Sequence, residues 1–300
     1  MTSVAREKVG IIGIGLAGIA IAETLIKMGY DLVGYDIREE RRVLFTGLGG
    51  TACPSVKDVV ADCSRIILSL FDTATVKEVI FGEAGLLAVP SKLRCIIDTT
   101  TGDPEETKLI AEDLAANGIA YIDATLSGSS EQIRNRQAVF MVGGEQKAFS
   151  SSKDIFDAVT EKTFFLGVSG SGSKAKLATN LVLGLNRLVL AEGLHFAEIL
   201  GLDIREFLLL LKTTPAYSVA MDTKGEKMIK GDYTAQAKVS QHCKDLDIIL
   251  QYAQKEGEEL PLAQIHRVIL KELMDKGDGE LDNSFVFQYF RMKSKKQNDV

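Results

Sequence analysis

The chain has 300 residues, 46% of them hydrophobic and 25% charged, with a formal net charge of −6. That length suits two domains better than one core, and the negative balance excludes general electrostatic attraction to nucleic acid or to an anionic membrane. Cys53, Cys63, Cys95 and Cys243 form no CxxC or other metal-ligand spacing, so they read as small buried hydrophobes of a reducing compartment and no metal site is expected. The opening MTSVAREK lacks an apolar signal core. The most apolar stretch, 177–199, contains Asn180, Asn186, Arg187, Glu192, His195 and Glu198, too many polar groups for lipid. A soluble, cytoplasmic protein is expected, with the basic end Lys293, Ser294, Lys295, Lys296 solvated.

In chain order, β-rich runs fall at 9–14, 32–35, 65–70, 95–98, 121–123, 139–142 and 163–166, and helix-compatible segments at 18–28, 55–61, 73–81 and 104–117. The alternation predicts an α/β class, with a doubly wound parallel sheet of Rossmann type over 1–169. Its strands read as nearly continuous apolar runs, as expected when helices cover both faces. The run Gly167-Val168-Ser169-Gly170-Ser171-Gly172-Ser173 is a small-residue hinge. Beyond it no strand pattern recurs. Residues 174–200 read as one helix of about 27 residues, roughly 40 Å long, followed by helical segments at 204–212, 235–256, 261–276 and 283–290. An all-α domain over 170–300, joined through the long helix, is therefore predicted. That helix is apolar on every face and must be enclosed. A second subunit is expected to cover part of it, in a homodimer or homotetramer.

Gly13-Ile14-Gly15-Leu16-Ala17-Gly18 stands where the first strand turns into a helix. There the first glycine permits the tight turn, the second lets backbone approach a pyrophosphate, and the third lets helix and strand pack closely. Asp36 ends the next strand at the offset of a ribose-binding carboxylate. It favours NAD, with NADP as the alternative because Arg38 follows. Arg41 and Arg42 read as a solvated helix face. Asp98-Thr99-Thr100-Thr101-Gly102-Asp103-Pro104 follows a strand, so hydroxyls lie at the carboxyl edge of the sheet, where ligands bind, and Asp103 before Pro104 caps a helix. Ser127-Gly128-Ser129 can form an anion-binding turn. Lys176 and Asn180, four apart, share one helix face. A lysine at a helix start is expected to have its pKa lowered by burial and by the dipole, which suits a general acid-base.

These elements, in this order, resemble the β-hydroxyacid dehydrogenase family from about Gly13 to Asp282. The family's Asp-x-Ser-Thr-x-x-Pro motif is similar to Asp98–Pro104, which implies that Thr101 lies at the nicotinamide. Its Asp-Ala-Pro-Val-Ser-Gly-Gly motif is similar to Asp123-Ala124-Thr125-Leu126-Ser127-Gly128-Ser129. This implies that Ser127, Gly128 and Ser129 hold the substrate carboxylate, with Ser129 in place of a glycine. Gly170, Gly172, Lys176, Thr179 and Asn180 resemble the segment that carries the family's catalytic lysine and asparagine. Lys244-Asp245-Leu246 resembles its Lys-Asp-Leu motif, whose lysine reaches the cofactor side of the cleft. On the same basis Ile37 beside Asp36 and Arg38, and Leu70 and Phe71 where the 65–70 run ends, contact the cofactor. Phe71 stands where the family often has proline, and Arg136 where it has glycine. The resemblance implies hydride transfer between NAD(P) and a small hydroxy acid or its semialdehyde, with Lys176 moving the proton. An imine reductase of the same architecture, or a cofactor-binding scaffold without chemistry, is the alternative. Retention of Lys176 and Asn180 argues against both.

Overall fold

The computed structural model describes residues 8–298, with side chains as far as 293. The readings of the N-terminal segment and of the Ser294, Lys295 and Lys296 side chains lie outside the described residues, apart from Lys8. Two compact units divide the chain, Met1–Lys176 and Leu177–Val300.

The first unit contains β1 (Val9–Ile12), α1 (Leu16–Lys27), β2 (Leu32–Tyr35), α2 (Glu39–Gly47), β3 (Thr51–Ala52), α3 (Val56–Asp62), β4 (Arg65–Leu68), α4 (Thr73–Phe81), β5 (Cys95–Asp98), α5 (Pro104–Ala116), β6 (Ala120–Ser127), α6 (Ser130–Arg134), β7 (Val139–Gly143), α7 (Gln146–Ser151), α8 (Lys153–Val159) and β8 (Lys162–Phe165). The strands form one sheet in the order β3-β2-β1-β4-β5-β6-β7-β8. Every neighbouring pair is parallel except β6 with β7. Successive strand residues split between the two faces: Ile11, Ile67, Ile97 and Ile122 pack in one core cluster, Ile12, Ile66, Ile96 and Tyr121 in the other. This is the period-two alternation of a sheet covered on both sides. Helix starts are fixed locally, for example by Asp72 accepting from Thr75 N at 2.8 Å and Asp103 accepting from Glu105 N and Glu106 N ahead of Pro104.

One difference from the sequence expectation matters for function. The run expected to end at 123 continues as β6 to Ser127, because β7 turns back antiparallel and pairs it through Ser127↔Val139. The arginine-bearing stretch after β2 is helical, as expected, in α2, whose first turn carries Glu39 and Glu40.

α9 (Ser171–Ile199) begins in the first unit and belongs mostly to the second. The second unit adds α10 (Ile204–Lys212), α11 (Glu226–Lys230), α12 (Val239–Lys255), α13 (Pro261–Asp275) and α14 (Val286–Asn298). Its core gathers Leu188, Leu194, Leu208, Met228, Leu246, Leu273 and Phe287. The Lys224 ammonium lies 2.9 Å from both oxygens of buried Asp282, which also accepts from Gln236 N and Ser284 N. A buried charge pair this fully hydrogen-bonded fixes where α14 begins more than it adds to stability. α9 is long and apolar enough to cross a membrane by length and composition alone, yet it buries Asn180 and Arg187. Its outer stripe of Val182, Val189, Phe196 and Ile199 is exposed.

Candidate functional site

The turn from β1 into α1 is built on backbone. Gly13 has φ +88°, and a Cβ there would run into the Ser69 carbonyl; a Cβ on Gly18 would run into the Gly13 carbonyl. Both glycines are required by the protein's own packing. Gly15 is not, because its nearest neighbour would be Arg38 Nη2 at 3.9 Å. It is also the N-cap of α1, with no side-chain cap and no acidic residue in the first turn. A bare helix start whose glycine meets only the far end of a flexible arginine fits a pyrophosphate, so the residues present suit a dinucleotide. Ile14, Leu16 and Ala17 complete this loop, Leu16 partly exposed.

Asp36 is buried beside it. Its Oδ2 accepts from Ile14 N at 2.7 Å, and Arg38 closes on the same carboxylate through its backbone N–H (3.0 Å), Nε (3.1 Å) and Nη2 (3.3 Å). Burial pushes this carboxyl's pKa up, but the Arg38 and Ile14 donors outweigh burial and hold it below the ordinary value. Arg41 and Arg42, expected to be solvated, reach back instead. Arg41 donates to the Ile14 and Gly15 carbonyls at 2.6 and 2.8 Å, and Arg42 to the Asp36 carbonyl at 2.6 Å. Their long side chains tie α2 to the loop. Ile37 is 83% exposed and Phe71 50% exposed.

The threonine run is tethered to the end of β4. Thr99 Oγ1 donates to the Leu68 carbonyl at 2.8 Å, and Leu70 N donates to Thr100 Oγ1 at 3.0 Å. The hydroxyls of Thr99 and Thr100 therefore shape the loop; Thr101 is 9% exposed. Beneath the loop Asp98 is fully buried and accepts from Thr100 N and, at 2.5 Å, from the Tyr121 hydroxyl. Burial raises its pKa to about 6.

At the end of β6, Ser127 and Gly128 lead into α6. Ser129 caps that helix: its hydroxyl accepts from Gln132 N while Gln132 Oε1 accepts from Ser129 N. The Ser129 side chain expected at the carboxylate thus has a structural duty, and the turn presents Ser127 and Gly128. Lys176, in the second turn of α9, donates from Nζ to the Leu126 carbonyl at 2.5 Å. The amine therefore lies beside that turn. Sequence reasoning missed the group that fixes the helix start. Asp123, 1% exposed, accepts from Gly170 N at 3.0 Å and Ser173 N at 2.9 Å. Burial raises its pKa despite those donors.

In the second unit, Asn180 Nδ2 donates to Asp245 Oδ2 at 2.8 Å, and Lys244 lies 3.1 Å from Asp245 Oδ1. Asp245 thus joins two expected site residues. Its signal was its place in the Lys-Asp-Leu motif.

Residues 8–182 match the family described as the NAD binding domain of 6-phosphogluconate dehydrogenase, and residues 170–290 that described as NAD-binding of NADP-dependent 3-hydroxyisobutyrate dehydrogenase. The chain is 30% identical to 2-hydroxy-3-oxopropionate reductase of Escherichia coli (strain K12) over 281 residues, 94% of this chain and 96% of that protein. It is 25% identical to the cytokine-like nuclear factor N-PAC of Drosophila melanogaster over 94% of this chain, and it spans only 47% of that longer protein. The solved structure of 3-hydroxyisobutyrate dehydrogenase from Salmonella typhimurium shares the fold with a TM-score of 0.85 at 22% identity, over 94% of this chain and 99% of that one. Sheet, glycine turn and matches together define an NAD(P)-binding protein of the oxidoreductase class. Within it, the chain belongs to the β-hydroxyacid dehydrogenase family, in its 3-hydroxyisobutyrate dehydrogenase-like branch.

Proposed function

We propose that the protein interconverts a small β-hydroxy acid and its semialdehyde or keto acid, with Lys176 as the proton-transfer group. The observation that carries this reading is the Lys176 amine at the Leu126 carbonyl, next to the Ser127–Gly128 turn. When bound, the nicotinamide supplies or accepts the hydride. Ser127 and Gly128 hold the carboxylate. In the oxidative direction, neutral Nζ takes the hydroxyl proton; in reverse, the ammonium returns it to the developing alkoxide. Asn180, one helical turn on, orients the amine and the substrate hydroxyl and is itself held by Asp245. Positioning of the reactants supplies much of the rate.

A panel of small hydroxy acids, semialdehydes and imines, followed by nicotinamide absorbance, tests the reading. Lys176→Ala is expected to keep the fold and cofactor affinity and to lower kcat at least about a hundredfold. Wild-type turnover in that variant, or turnover of imines alone, would end it.

We further propose that 1–169 bind the cofactor and 170–300 serve substrate binding and self-association in a soluble, cytoplasmic protein. The exposed stripe Val182, Val189, Phe196 and Ile199 supports a homodimer or homotetramer, since contiguous apolar surface of this kind marks association sites. Light scattering at micromolar concentration is expected to give a multiple of 32.6 kDa; a stable single-chain mass would refute it.

A further inference from the structure

We propose that Asp123 and Thr125 are positioning residues for Lys176: together they pin the first turn of α9 to β6 and so deliver the amine to the Leu126–Ser127–Gly128 turn. The inference rests on Lys176 being the proton-transfer group.

Asp123 and Thr125 are two apart on β6, so they project from the same face of the strand. Both are buried, at 1% and 0% exposure. Asp123 receives the N–H groups of Gly170 and Ser173 at 3.0 and 2.9 Å. The Thr125 hydroxyl donates to the Gly172 carbonyl at 3.0 Å. The same strand accepts Nζ of Lys176 on the Leu126 carbonyl. Three groups within four residues of one strand thus hold the helix start, the carbonyl one turn before the lysine, and the lysine's own amine.

The contact leaves no room for a side chain at Gly172 of α9 or at the neighbouring Gly143 of β7. A Cβ on Gly172 would sit 2.5 Å from the Asp123 and Met141 carbonyl oxygens, and one on Gly143 would sit 2.6 Å from Asp123 Oδ1. Capping alone needs only the carboxylate at the positive end of the helix. Thr125 does something capping does not, because it grips a carbonyl inside the first turn. The family motif has proline at this place, which has no hydroxyl to donate. A helix turn is stiff, so a shift at Gly172 is passed to Lys176, and an error of about 1 Å in a reacting group can lower the rate about a hundredfold.

The test compares Thr125→Val, Thr125→Ser and Asp123→Asn in the full chain. Thr125→Val is expected to lower kcat about tenfold, with KM and the NAD(P)H dissociation constant within about twofold; Thr125→Ser restores the rate, and Asp123→Asn lowers it further. The titration of Lys176 is read separately, by carbon-13 NMR of the reductively methylated protein, with Lys176→Arg identifying the signal. It is expected to move in both damaging variants, downward when the carboxylate is removed. Unchanged kcat and unchanged Lys176 titration in folded Thr125→Val would overturn the proposal, and this variant decides alone should Asp123→Asn fail to fold. The two readings fail separately: an active Lys176→Ala removes the proton-transfer role, whereas an inactive Lys176→Ala beside an unaffected Thr125→Val removes only the positioning role.

Discussion

α1 and α9 start alike. Gly15 is the N-cap of the first, Gly170 immediately precedes the second, and neither first turn carries an acidic residue. Both helix starts therefore present N–H groups and a positive dipole end with no acid of their own nearby in sequence. At α1 only the Arg38 side chain comes within van der Waals distance of a Cβ on Gly15. At α9 the carboxylate of Asp123, nearly fifty residues earlier, takes Gly170 N and Ser173 N. An open helix start can receive a ligand's phosphate; a closed one becomes a rigid mount, and here it mounts Lys176.

The same substitution at the two starts is the sharpest way to break this comparison. Gly172→Ala puts a Cβ against two carbonyl oxygens and is expected to destabilise the first unit by about 3 kcal/mol, read by denaturant unfolding. Gly15→Ala meets only an ordinary contact with the flexible Arg38 side chain and is expected to leave unfolding unchanged while weakening NAD(P)H binding by at least about tenfold, as fluorescence titration would show. Equal behaviour of the two variants would remove the distinction between ligand-facing and packing glycines.

A second buried acid lies beside Asp123. Asp98 pairs in register with Asp123 across β5 and β6. Its pKa is raised to about 6 by burial, so its contribution to stability is full below the unfolded carboxyl value and is lost as pH rises through about 6. Asp98→Asn is therefore expected to gain about 3 kcal/mol relative to the native chain between pH 4 and pH 7. A difference independent of pH, in unfolding measured at both values, would mean that Asp98 is ionised throughout.

Beside the α1 start, we expect Arg38 to govern how well the cofactor's 2′ position is read. It occupies the Asp36 oxygens that ribose hydroxyls would need and neutralises the charge that would repel a 2′-phosphate. We expect weak discrimination between NAD and NADP, with Arg38→Ala shifting the ratio of kcat/KM values towards NAD by about tenfold. An unchanged ratio would show that Arg38 is only a surface ion pair.

Local sequence determined much of this protein. The strand-turn-helix glycines at 13, 15 and 18, the strand runs, Asp36, and the four-residue spacing that puts Lys176 and Asn180 on one helix face all follow from short-range sterics and periodicity, which neighbouring residues alone enforce. The extension of β6 to Ser127 was not legible, because it depends on β7 returning antiparallel. Nor was the capping duty of Ser129, which hangs on where the short α6 begins, nor the inward reach of Arg41 and Arg42 to loop carbonyls. The α9 mount was hidden for the same reason. Gly170, Gly172 and Ser173 carry no sign of the carboxylate that completes them, since Asp123 reaches them only after the sheet is ordered. Tertiary structure alone decides such partners: a buried donor must find an acceptor, and the chain can supply it from any distance along its length.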